Sequence, residues 1–130
     1  VVATFEMRHM DKAVTDQFYA DIQAMAKEIS NCEFTFVNTV AKYSTPCDPA
    51  LIDTIDHVCT RLNISHIIMP SGAGHDANPM AHEGVPIGMV FVPSVKGISH
   101  HGDEWTDPKH IDLGADVLYE TVLALDKTDL

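Results

Sequence analysis

Seven consecutive uncharged residues, Pro86-Ile87-Gly88-Met89-Val90-Phe91-Val92, run up to Pro93 with no polar side chain among them. A strand with one wet face alternates apolar and polar residues, whereas an unbroken apolar run of this length predicts a strand covered on both faces. Such a strand requires layers above and below it, and amphipathic helices are the usual layers of an α/β fold. The rest of the chain has the hydrophobic content to build them. It is 45% hydrophobic and 21% charged over 130 residues, enough for one compact domain or two small ones.

The flanking sequence reads as α/β throughout. Residues Val1–Met7 are rich in β-branched and aromatic types and predict a strand. Asp11 offers an N-cap, after which Val14, Phe18, Ile22, Met25, Ala26 and Ile29 recur at helical spacing and predict a helix over 12–30. The alternation in Phe34–Ala41 predicts a second strand, so the first segment is a β-α-β unit. It lacks the Gly-x-Gly-x-x-Gly of dinucleotide binding. Turn formers crowd Tyr43-Ser-Thr-Pro-Cys-Asp-Pro49, which places a boundary between units at 1–45 and 46–130.

In the second unit Asp48 caps and Pro49 opens a helix lined by Leu51, Ile52, Ile55, Val58, Cys59 and Leu62, ending at Asn63. A short strand over His66–Met69, a Gly-rich loop from Pro70 to Asp76 and a short helix over Ala77–Glu83 precede the apolar run. After it, Pro93–Pro108 is a long polar loop, the kind of connection that carries sites. A last helix over Leu113–Lys127 presents Ala115, Leu118, Val122 and Leu125 as its apolar stripe.

Charge and cysteine usage exclude several functions. Eight Lys and Arg against 19 Asp and Glu give a net charge of −11, which is the wrong sign for a phosphate backbone, so nucleic acid is not an expected partner. The apolar runs are broken by Pro and Gly well short of the roughly 18–20 residues that span a bilayer, and no membrane segment is expected. The opening residues show no basic stretch ahead of an apolar one, so no secretory leader is expected. Cys32, Cys47 and Cys59 form no C-x-x-C pair, and an odd set of cysteines suits a reducing cytoplasm. Cys59 belongs to an apolar helix face, and Cys47 to an exposed turn.

The residues that carry chemistry gather late in the chain. His75, Asp76, His82, Glu83, His100, His101, Asp103, Glu104, Asp107 and His110 lie within 36 residues. Imidazole and carboxylate are the ligands of Zn²⁺ and related ions, so a metal site is one reading of the group. Exposed polar loop residues are the other, because no His-x-x-x-His spacing occurs. Ser71-Gly72-Ala73-Gly74 reads either as a backbone cradle for an anion or as a tight turn; it has neither a P-loop Lys nor a nucleophile elbow. Arg8 is one of two arginines, at the end of a predicted strand, and is either a carboxylate clamp or a surface ion-pair partner. Trp105 either anchors its loop or closes a pocket rim.

Three stretches resemble one family: Phe5-Glu6-Met7-Arg8-His9, Met69-Pro-Ser-Gly-Ala-Gly-His-Asp-Ala77, and Met89-Val-Phe-Val-Pro-Ser-Val-Lys-Gly-Ile-Ser-His100 followed by Glu104. They are similar to the metal-dependent amidohydrolases of the aminoacylase/carboxypeptidase-like superfamily, in the branch of N-carbamoyl-L-amino acid amidohydrolase, β-ureidopropionase and allantoate amidohydrolase. The resemblance implies two divalent ions, Zn, Mn or Co, and a general base that together hydrolyse a linear amide or carbamoyl C–N bond. It implies that His100 is a metal ligand and that His75 holds the substrate or polarises its carbonyl. Gly72 and Ala73 would meet the substrate carboxylate with backbone groups, and Arg8 would clamp it. Glu104 would stand behind the metal ligand.

The family's upstream His-x-Asp, bridging Asp, Glu-Glu pair and further His ligand have no counterpart here; His9-Met10-Asp11 has the letters of the first but falls at the junction of a predicted strand and helix. His101-Gly102 also departs from the pair that follows the ligand histidine in the family. The resemblance therefore implies a β-α-β fragment of a lid, or dimerisation, domain followed by the C-terminal part of an α/β metallohydrolase catalytic domain. The implied partners are the N-terminal part of that domain, a small carboxylate substrate and a second copy through the lid. The chain alone is expected to be inactive and to hold no metal stably. Two other readings stay open: a freestanding binding or oligomerisation module derived from the family, and a metal site assembled between two copies from His75, His82, His100 and His101.

Overall fold

The computed structural model describes residues 1–39 and 44–127. It divides into two compact units, Val1–Pro46 with Pro70–Gly74, and Cys47–Met69 with His75–Leu130.

In the first unit the regular element is α1, Lys12–Glu28. Asp11 starts it by accepting a hydrogen bond from the Ala13 amide at 2.8 Å, satisfying one of the donors that a helix N-terminus leaves without a partner. Its outer face is laced by the Lys12–Asp16 ion pair and by Gln17 donating to Asp21 at 2.8 Å. None of its residues is buried, and Val14, Phe18, Met25 and Ile29 are about half exposed. Phe34 and Phe36, two residues apart, stack with centroids 6.5 Å from each other, and Phe36 meets the edge of Tyr19 on α1 at 6.1 Å.

The second unit contains α2 (Pro49–Arg61), α3 (Ala77–His82), a single 3₁₀ turn at Val95–Gly97 and α4 (Pro108–Leu125). Helices α2 and α4 begin alike, on Asp-Pro. Asp48 accepts from the amides of Ala50 and Leu51, Asp107 from that of Lys109, and the proline follows where no N–H is needed. The two helices pack through Val58 and Cys59 of α2 against Val117 of α4, with Ile55, Leu62, Ile64, Val90 and Ala124 around them. An Arg61–Glu120 ion pair of 2.7 Å ties the two together. Burial raises the Cys59 thiol pKa, aided by the Asp56 charge, which marks this cysteine as a packing residue.

The α/β expectation does not hold. Among the described residues there is no strand and no sheet bridge, so neither a β-α-β lid fragment nor an α/β catalytic layer is present. Segments 1–7, 34–39, 66–69 and 86–92 carry no regular structure; residues 40 and 41 of the second predicted strand, and Tyr43 of the predicted boundary, lie outside the described residues. The physical reason is that β propensity records a side chain's fit to a pleated surface, whereas a strand exists only when a second one pairs with it. These segments find helices or solvent instead. Val2, Ile67 and Ile68 are largely exposed. The run 86–92 lies along the helix pair: a Cβ on Gly88 would meet Leu51 of α2 at 3.2 Å, and one on Gly114 of α4 would meet Val92 at 2.5 Å. It is covered on one side only, since Ile87 is buried while Phe91 is 56% exposed.

Candidate functional site

Two of the residues singled out in sequence meet within the first unit. Nη1 of Arg8 donates to the carbonyl of Gly72, across 64 positions of chain. Nε and Nη2 of the same guanidinium reach one oxygen of Glu6, Oε1, at 2.8 and 2.7 Å. The Glu6 and Arg8 side chains are 69% and 58% exposed, so the group is open to solvent and to a ligand. Beside it the Ser71 hydroxyl accepts from the Ala73 amide at 3.2 Å, closing a turn of the Ser/Thr type. Gly72 thus offers an acceptor to Arg8, and the Ala73 amide is engaged within its own loop. A Cβ on Gly72 or Gly74 would meet nothing within 4 Å, so neither glycine is required by crowding.

In the second unit, His75 precedes α3, and its Nδ1 accepts from the Ala77 amide at 3.0 Å. A neutral imidazole that accepts at Nδ1 carries its proton on Nε2, so the outer nitrogen of His75 is a donor. His100 has φ of 55°, in the left-handed region, and its amide donates to Glu104 Oε2 at 2.9 Å. Glu104 thereby closes the 100–104 loop around a backbone conformation that disfavours side chains. His101 Nδ1 accepts from the Asp103 amide at 3.2 Å. Trp105 anchors the loop through its carbonyl, which accepts from Val95 N at 2.8 Å, while its ring is 56% exposed.

The clustered histidines and acids do not converge. Among the described residues no three of His, Cys, Asp or Glu stand where they would hold a metal ion together. The donor set of the described residues therefore does not fit a complete divalent-metal site, and His100 stands there as at most a single ligand. None of these residues lines the shallow grooves found along α1, at Ala13, Val14, Gln17, Phe18 and Asp21, and at Thr60 and 63–66. No helix among the described residues is long and apolar enough to cross a membrane.

Residues 3–124 match the sequence pattern of the peptidase family M20/M25/M40. The chain belongs to that family. It is 34% identical over 123 residues to an N-carbamoyl-L-amino-acid amidohydrolase of Pseudomonas sp. (strain NS671), an alignment covering 92% of this chain and 30% of the relative. It is 36% identical over 128 residues to the enzyme of that name from Rhizobium meliloti, covering 95% of this chain and 30% of the relative. To the allantoate amidohydrolase of Escherichia coli (strain K12) it is 34% identical over 108 residues, 80% of this chain and 26% of the relative. The chain thus spans less than a third of the length of these relatives.

The resemblance read from Phe5–His9, Met69–Ala77 and Met89–His100 is borne out by this M20-family membership. Sequence reasoning did not single out Glu6 or the Ala77 amide. The signal for Glu6 was its place two residues before Arg8, which in an extended segment puts both side chains on one face.

Proposed function

We propose that this chain is part of an M20-family amidohydrolase that cleaves the linear C–N bond of an N-carbamoyl amino acid or a ureido acid such as allantoate, and that it supplies the clamp for the substrate carboxylate. The observation that carries the reading is the bond from Arg8 to the Gly72 carbonyl, which joins two segments that the family resemblance assigns to one carboxylate. A guanidinium has five N–H donors in one plane. With Nε donating to Glu6 and one N–H of Nη1 to Gly72, the second N–H of Nη1 and donors on Nη2, which stands 2.7 Å from the Glu6 oxygen, are left for a carboxylate.

In this reading His75 donates through Nε2 to the carbonyl of the scissile group, and His100 is one ligand of a divalent ion, Zn, Mn or Co. The remaining ligands and the general base belong to polypeptide outside this chain, and no step of water activation is assigned to its residues. The lengths of the relatives support this, as does the surface, where Val14, Phe18, Met25, Phe91 and Leu118 are each 46–65% exposed. The full enzyme would be a cytoplasmic homodimer. The test is hydrolysis of an N-carbamoyl amino acid with each metal added: turnover by the complete gene product and none by residues 1–130 alone. Turnover by residues 1–130 would refute the division of labour.

A second reading is a freestanding, non-catalytic module that associates through α1. The stripe Val14, Phe18, Met25 and Ile29, exposed along one helix, favours it. Self-association of the 130-residue chain in sedimentation would support it, and sedimentation as a monomer at high concentration would count against it.

A further inference from the structure

The Arg8 guanidinium is held on two sides, by the Gly72 carbonyl and by Glu6. We infer that Glu6 is a positioning residue for the carboxylate clamp: by accepting from Nε and lying against Nη2 with one oxygen, it fixes the plane of the Arg8 guanidinium and leaves the remaining donors presented to the substrate. The inference rests on the proposed role of Arg8 and deepens it.

The geometry supports orientation over stabilisation. Both side chains are more than half exposed, and an ion pair in that setting adds little to folding. Arginine is a rotamer-rich side chain whose freedom must be surrendered when it grips a ligand. Glu6 at i−2 and the Gly72 carbonyl from a distant loop restrict that freedom before the ligand arrives, and a preorganised donor pair binds more tightly than a mobile one. The charge of Glu6 acts the other way, since it repels an incoming carboxylate. Its single engaged oxygen, Oε1, is what positions the fork, and an amide supplies that acceptor without the charge.

The experiment uses the complete gene product and two substrates, an N-carbamoyl amino acid and its carboxamide, which differ only in the group the clamp would hold. Glu6→Ala is expected to raise KM for the carboxylate substrate about three- to tenfold, kcat staying within about twofold, and to leave KM for the carboxamide unchanged. Glu6→Gln is expected to restore most of the lost affinity. Arg8→Ala is measured beside them. If Arg8→Ala raises KM for the carboxylate selectively while Glu6→Ala does not, or if Glu6→Ala lowers KM, the positioning role is overturned and the clamp stands. If Arg8→Ala leaves both KM values unchanged, clamp and positioning role fall together. Equal losses by Glu6→Ala on both substrates would also overturn the inference, as the mark of a general structural role.

Discussion

Gly114 sits in α4 where a side chain would collide with the apolar run, and the collision can be measured. A Cβ built there stands 2.5 Å from Val92 Cγ1, about 1 Å inside ordinary carbon contact. Valine is stiff at χ1, so its methyl does not swing aside freely. Overpacking of this kind costs about 1–3 kcal/mol, against a gain of about 1 kcal/mol from replacing a mid-helix glycine by alanine. Gly114→Ala should therefore destabilise the chain by about 0–2 kcal/mol. In a Val92→Ala background the opposing methyl is gone, and the same substitution should stabilise by about 1 kcal/mol. The cycle predicts a coupling of about 1–3 kcal/mol, read by urea denaturation followed by far-UV circular dichroism. Additivity within about 0.5 kcal/mol would show that residues 86–92 do not lie against α4, and the packing described for the second unit would be wrong.

Three further expectations follow from named contacts. Asp48→Ala removes the side chain that accepts from the Ala50 and Leu51 amides and should cost about 1 kcal/mol in the same denaturation assay, with Asp48→Asn costing less. His66 has its pKa raised above 6.5, first by its hydrogen bond to Asp56 and then by the Ile64 carbonyl. Protonated His66 therefore favours the folded state: that contribution is complete below the ordinary histidine value and is lost as pH rises through the raised one, so Asp56→Asn should flatten the stability profile across that window. For His75, ¹⁵N NMR of the imidazole should find the neutral ring protonated at Nε2. In the complete gene product His75→Gln, whose amide reaches towards the Nε2 position, should retain more turnover than His75→Asn; the reverse order would contradict the donor role.

What the sequence made legible was local. The Asp-Pro starts of α2 and α4 and the Asp11 cap of α1 are short-range signals, because the capping side chain and the amides it satisfies are neighbours in the chain. The apolar face of α2 likewise foretold Val58 and Cys59 as core. α4 begins at Pro108, earlier than its apolar stripe indicated, and it packs through Val117, Thr121 and Ala124 instead of that stripe, of which Leu118 and Val122 are more than half exposed. The sheet was not legible in the same way. Alternation at Phe34 and Phe36 is satisfied by stacking and by Tyr19, and the run 86–92 by two helices, so apolar pattern reported a need for cover without naming what covers it. At the site, the motifs identified Arg8 and Gly72 from family likeness, whereas the Glu6 contact and the His75 tautomer depend on where individual atoms fall. For the histidine cluster two readings stood open, and proximity in sequence did not become convergence in space among the described residues.

The central claim is that Arg8 receives the substrate carboxylate, and a crystal structure of the complete gene product with a non-hydrolysed carboxylate substrate analogue tests it most directly. The account predicts a carboxylate oxygen at about 2.7–2.9 Å from Arg8 Nη1 or Nη2, with Glu6 still on Nε. A carboxylate bound elsewhere, with Arg8 engaged only by Glu6 and Gly72, would contradict it.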